Sequence, residues 1–167
     1  MENQIRDVIL KMILHESGEP FRAHHFLKVY GFAKTIGEAE GLPQPTQKIL
    51  EVAAAMHDIG IRPSLEKYGS SAGNYQEIEG PPLARKLLKE LGFEADLTQR
   101  VCYLIGHHHT YSAIDGLDYQ ILVEADFLVN LFEEGADLPA IQQVREAIFR
   151  TKTGIKMLDA LFLAESK

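Results

Sequence analysis

Proline and glycine divide this chain at intervals that suit helices, and no stretch of four to eight residues alternates with period two between turns. That pair of signals constrains the fold most. A chain with helical spacing throughout and no amphipathic strands must bury its apolar surface helix on helix. The pattern predicts helices from Gln4 to Leu14, Pro20 to Gly41, Pro45 to His57, Pro81 to Gly92, Asp96 to His108, Asp118 to Glu133, Pro139 to Phe149 and Ile155 to Ala164. Pro20, Pro45 and the Pro81-Pro82 pair sit where a first helical turn accepts proline, and Gly18, Gly41 and Gly92 mark stops. Gly69 to Gly80 is polar and glycine-rich and reads as a loop, as does Thr110 to Gly116. The expectation is an all-α bundle of seven to nine helices. At 167 residues it is one domain, 1–167, with a core over about 21–130 and C-terminal helices over 137–164 packing on it.

Composition narrows the function classes. The one cysteine, Cys102, excludes an internal disulfide and a cysteine zinc cluster, and suits a reducing compartment. The formal charge of −7 has the wrong sign for a protein that binds large nucleic acids by neutralising phosphates. The opening MENQIRDVILKM has a charged helical pattern rather than that of a signal peptide, and no apolar run approaches a membrane span. A cytoplasmic protein with no membrane partner is expected.

The seven histidines are unevenly distributed, and helical phase says where they point. Phe21, His25, Val29, Phe32 and Ile36 share an apolar face, so His25 points inward while His24 shares a stripe with Lys28 and Thr35. Alone, His25 reads as a core histidine bonded to a carbonyl. His57 and Asp58 close the buried-looking run AAAMHDIG, where an aspartate is costly unless paired or bound to a metal. A dipole-favoured histidine beside an exposed aspartate would explain that pair equally well. His108 shares a face with Val101, Leu104 and Ile105, and His109 follows Cys102 and Ile105. Asp126 lies on the apolar face of VEADFLV with no lysine or arginine within one helical turn, so it needs a cation from elsewhere. Together these place inward-pointing His25, His57, Asp58, His108 and Asp126 on four separate helices. Imidazole and carboxylate are the usual ligands of a divalent transition metal, and helices converging on one ion are a common way to build its site.

His25 in HHFLKVYGFA, His57-Asp58 in AAAMHDIG and Asp126 in VEADFLV stand in an order that resembles the HD-domain superfamily of metal-dependent phosphohydrolases. The resemblance spans roughly Phe21 to Asn130. It implies a divalent ion (manganese, iron, cobalt, nickel, zinc or magnesium) held by His25, His57, Asp58 and Asp126. Two-metal members carry further histidines between the doublet and the last aspartate, and here His108 and His109 supply the paired ones for a second ion. The other such position holds Gln76, within Gln76-Glu77-Ile78-Glu79-Gly80, a departure that leaves the second ion one strong ligand short. Glu77 and Glu79 are the candidates to replace the missing ligand.

The resemblance implies hydrolysis of a phosphate ester of a small phosphorylated metabolite or nucleotide by metal-activated water. Asp58 is the candidate bridging or water-orienting group, and His108 or His109 the candidate proton donor to the leaving oxygen. Arg62 and Arg85 are candidates for the substrate phosphate, with Lys67 and Lys86 read as solvated surface charge. Two other readings stay open. One is a non-catalytic member that keeps a metal and binds a ligand as a regulator. The other is a two-iron oxygenase on the same scaffold, against which Gln76 counts.

Overall fold

The computed structural model describes residues 2–165, with side chains from Gln4 onward. Nine α-helices form among the described residues, with no strand. They are α1 (Glu2–His15), α2 (Pro20–Ala39), α3 (Gln44–Met56), α4 (Ile61–Tyr68), α5 (Gly73–Glu90), α6 (Ala95–Ile105), α7 (Leu117–Glu133), α8 (Leu138–Ala147) and α9 (Lys152–Leu158), the last continued by a π-helical turn over Asp159–Leu163. The chain is all-α, as its periodicity predicts. No described helix is long and apolar enough to cross a membrane.

Helix α3 is the hub. It packs against α1, α2, α6 and α7, so the run Val52, Ala53, Ala54, Ala55, Met56 is buried on every side. A helix apolar all round belongs in the interior, and the three alanines let its neighbours approach closely. The same burial carries His57, the residue that ends α3, to the centre of the molecule. Helix α7 lies across α2 and α3 and is itself mostly buried. At the far end α9 packs against α7 and α2.

Gly41 and Gly92 stop α2 and α5 because both adopt the left-handed conformation, at φ +75° and +73°. In each case the next amide reaches back to the helix, Leu42 N to Gly37 O and Phe93 N to Leu88 O, as a Schellman closure requires. The stretch Gly69 to Gly80 departs from expectation. It is not a loop that ends where Pro81-Pro82 open a helix. Helix α5 begins at Gly73 and runs through both prolines. Proline at these positions forfeits the hydrogen bonds to the carbonyls four residues back. Gly80 has no Cβ to clash with the Pro81 ring, which removes one steric reason for the helix to stop there. Packing supplies the rest. A Cβ on Gly60 would lie 2.7 Å from Gln76 O, and one on Gly80 would lie 2.7 Å from Ile105 Cγ2. The backbones of the 57–60 turn and α5 are therefore in direct contact, the Ile105 side chain of α6 packs onto Gly80, and Gln76 is set against the turn that carries Asp58. Helix α4 was not foreshadowed: Ile61, Leu65 and Tyr68 do stand at helical spacing, but the helix is short and only Ser64 of its eight residues is buried.

Candidate metal centre

Five side chains from four places in the fold meet at one point. His25 comes from the second turn of α2, His57 and Asp58 from the end of α3, His108 from the turn after α6, and Asp126 from the middle of α7. His25 Nε2 lies 3.1 Å from Asp126 Oδ1, 3.3 Å from Asp58 Oδ2 and 3.3 Å from His57 Nε2. His57 Nε2 lies 3.3 Å from Asp58 Oδ2 and 3.4 Å from Asp126 Oδ1. On the other side of the same carboxylate, Asp58 Oδ1 is 3.5 Å from His108 Nε2. His57 and His108 are 0% and 1% exposed, and His25 and Asp126 are also buried.

The second nitrogen of each imidazole decides what the first can do. His25 Nδ1 is 2.7 Å from Glu133 Oε1, His57 Nδ1 is 2.8 Å from Ala54 O, and His108 Nδ1 is 2.8 Å from Ile105 O. These partners are acceptors, so Nδ1 carries the proton in all three rings and each Nε2 presents a lone pair inward. Two lone pairs facing each other, as in His25 and His57, repel unless a proton or cation lies between them. His108 Nε2 is buried with no hydrogen-bond partner. Two carboxylates and three bare imidazole nitrogens converging in this way are a donor set that a divalent cation completes. Ligand atoms of His25, His57 and Asp58 form one group able to hold an ion, and those of Asp58, His108 and His109 a second, with Asp58 common to both.

The electrostatics agree. Burial alone would lower the His57 pKa, but the adjacent Asp58 and Asp126 carboxylates reverse this and hold it well above the ordinary imidazole value. His25 is raised in the same way, chiefly by Asp126 against the opposing effect of burial. Asp58 and Asp126 would be raised by burial and are instead held below the carboxylate range, first by His57. Without a metal the carboxylates thus recruit protons onto the imidazoles. Protons and a metal ion compete for the same lone pairs.

His109 differs. Its Nε2 is 3.0 Å from Gln76 Oε1, and Gln76 Nε2 donates to Ser71 O at 2.7 Å, so the amide is oriented with its oxygen toward the ring. Burial, then the neighbouring His108, lowers the His109 pKa to about 4. The two candidate replacements for a ligand at Gln76 are engaged elsewhere. Glu77 accepts from His109 N and Thr110 Oγ1, and Glu79 accepts from Lys67 and Tyr68. Tyr119 closes the histidine turn by donating to His107 O and Thr110 O.

A cavity of about 410 Å³ opens above the cluster, with His25, Asp58 and Asp126 in its floor and Gln76 and His109 in its wall. Neither Arg62 nor Arg85 lines it. Arg62 donates to Ser17 O, and Arg85 is exposed on α5. Among the described residues Arg22 is the one guanidinium in the lining, held by Glu16 Oε2 at 2.6 Å. Phe21, expected on the inward stripe with His25, is instead 66% exposed at the cavity rim. The start of α2 is open to solvent, so the stripe is covered only from His25 onward. His24 is exposed, as its phase requires.

Three contributors escaped the sequence reading. Asn130 Nδ2 donates to Asp126 Oδ1 at 3.2 Å, Glu133 meets His25 Nδ1, and His15 Nε2 lies 3.0 Å from Ile59 O, which ties α1 to the turn that carries Asp58. Asn130 and Glu133 stand four and seven residues after Asp126, on the same face of α7, and that spacing was the available signal.

Comparison with known proteins meets this geometry. A family model described as HD domain matches residues 22–148. No curated protein matches the chain. The solved structure of a predicted HD superfamily hydrolase from an uncultured Thermotogales bacterium superposes with a TM-score of 0.66 and 23% sequence identity. The match covers 98% of this chain and 85% of that one, and at this identity it speaks for the fold alone.

Proposed function

The chain belongs to the HD domain family, and from that premise we propose that it is a metal-dependent phosphohydrolase acting on a small phosphate ester. One observation carries the proposal: the inward-facing Nε2 atoms of His25, His57 and His108 converge on Asp58 and Asp126 at the floor of a cavity. His25, His57, Asp58 and Asp126 would hold a divalent ion. Such an ion supplies Lewis acidity and lowers the pKa of water toward neutrality.

The chain's own residues divide the remaining work. Asp58 turns one oxygen to the His25–His57 side and the other to His108, which suits a bridging or water-orienting carboxylate. His108, with its proton on Nδ1, presents a bare Nε2 and so enters as a base or as a donor to a second ion, in place of the proton donor expected. His109, with a pKa near 4, is neutral at pH 7 and enters as a hydrogen-bonding group rather than an acid. Arg22 takes the place expected of Arg62 and Arg85, because it is the guanidinium that reaches the cavity. The cavity size suits a small molecule. With an amide at Gln76, the His108–His109 side offers a weaker donor set, so the ions are unequal: one tight, and at most one weak and exchangeable.

A screen of phosphorylated metabolites with added manganese, cobalt, nickel and magnesium tests the proposal. Release of phosphate that is abolished in Asp58→Ala supports it. A fully metallated wild type that hydrolyses no phosphate ester and instead binds one would point to the regulatory reading.

A further inference from the structure

We propose that Glu133 is a positioning residue of the metal centre, fixing the tautomer of His25 and strengthening its Nε2 as a donor. The inference rests on the reading of His25 as a ligand. Three similar imidazoles differ in what holds Nδ1. His57 and His108 each give Nδ1 to a backbone carbonyl three residues back, Ala54 O and Ile105 O. Both stand at helix ends, where the last four carbonyls lack intrahelical partners and are free to accept. His25 lies inside α2, where the preceding carbonyls are already taken by the helix. Its Nδ1 needs an acceptor from elsewhere in the fold.

Glu133 supplies it from the last residue of α7, at 2.7 Å and with its side chain 6% exposed. Asp126 stands two helical turns earlier on the same face of α7 and meets the other nitrogen of the ring at 3.1 Å. One imidazole is thus held at both edges by two carboxylates of a single helix. Lys28, one turn after His25, approaches the same Glu133 oxygen at 3.3 Å and lies over the Phe132 ring. Both residues of α2 therefore grip one carboxylate. A carboxylate on Nδ1–H differs from a carbonyl there because its charge drives electron density toward Nε2, and such outer partners typically contribute 10–100-fold in metal affinity. Of the three rings, His25 is the one whose donor strength a side chain sets.

The test is cobalt(II) titration of the metal-free full chain, comparing wild type with Glu133→Ala, Glu133→Gln and Glu134→Gln. Glu134 also lines the cavity and serves as a control for general negative charge. Glu133→Ala is expected to weaken cobalt binding about 10–100-fold. Glu133→Gln, which can still accept the Nδ1 proton but carries no charge, should fall between it and wild type. Glu134→Gln should stay within about twofold of wild type, being no partner of a ligand. A second readout separates positioning from fold repair. In the zinc-loaded protein the His25 Nδ1 proton should be protected from solvent exchange in wild type and in Glu133→Gln, and unprotected in Glu133→Ala. Should Glu133→Ala fail to fold, Glu133→Gln decides, since lost charge alone must weaken cobalt by about threefold or more. Variants that bind like wild type and keep the protected proton overturn the inference while leaving the metal centre standing. A wild type that binds no cobalt and no other divalent ion overturns the metal reading itself, and this inference with it.

Discussion

Helix α7 carries two buried carboxylates two residues apart, and they face opposite sides of the molecule. Asp126 meets His25 and His57 under the cavity. Glu124, 0% exposed, points to the start of α9, where it accepts from Thr151 Oγ1 at 2.7 Å, Thr151 N at 3.2 Å, Arg150 N at 3.3 Å and Gln120 Nε2 at 2.6 Å. Its four partners are neutral donors. Burial still raises its pKa, because neutral donors offset less of the desolvation cost than charge does. Asp126 goes the other way and is lowered, His57 outweighing burial. A buried acid is therefore not in itself the mark of a metal site. The mark is a surplus: Nε2 atoms that face inward and, in His108, find no hydrogen-bond partner. Glu124 has nothing left over and ties the C-terminal helix to the bundle.

The two carboxylates should fail differently. Asp126→Asn is expected to lose metal by more than about 100-fold, beyond the effect of an outer partner, while a thermal melt of the metal-free protein stays cooperative. Glu124→Ala should do the reverse. It keeps the metal but leaves the Thr151 and Arg150 amides without their acceptor, at about 2–3 kcal/mol of stability in denaturant unfolding. If both variants lose metal, or both only stability, the distinction between the two ends of α7 collapses.

The adjacent histidines sharpen the same contrast. His25→Ala should lose metal and His24→Ala should keep it, since the first is buried in the cluster and the second is exposed. Elemental analysis of the two variants decides. Gln76→His is the next effect in size. It should tighten the second ion, so that calorimetry shows two affinities closer together than in wild type. Two equally tight ions in the unmodified chain would contradict the claim that the Gln76 amide weakens the second site.

The smallest effect is a pH dependence at the structural end. A carboxylate whose folded pKa is raised stays protonated in the folded chain when the unfolded chain has already ionised. Its contribution to stability is therefore lost as pH rises from its ordinary value of 4.5 through the raised one. Glu124→Gln should remove that slope from the melting temperature over this range. An unchanged slope would show that Glu124 does not cause it.

Much of this was legible in the sequence, for local reasons. Gly41 and Gly92 stop helices because a positive φ costs glycine little. His25 and Asp126 could be phased inward because each sits within a long apolar stripe. What was not legible depends on how helices meet. Pro81 and Pro82 read as a helix start, and only the Gly60–Gly80 contact explains why α5 begins eight residues earlier. Arg62 follows the His-Asp turn closely in sequence, yet its side chain is spent on Ser17 O, while Arg22 reaches the cavity from α2. Glu133 was hidden for the same reason: its link to His25 spans 108 positions.

The central claim is that these five side chains form a cation site, and metal content tests it most directly. Protein purified without chelator, or stripped and then re-metallated, should carry at least one tightly held divalent ion per chain, and Asp126→Asn should carry none. Sub-stoichiometric metal in the wild type under every loading condition would contradict the account.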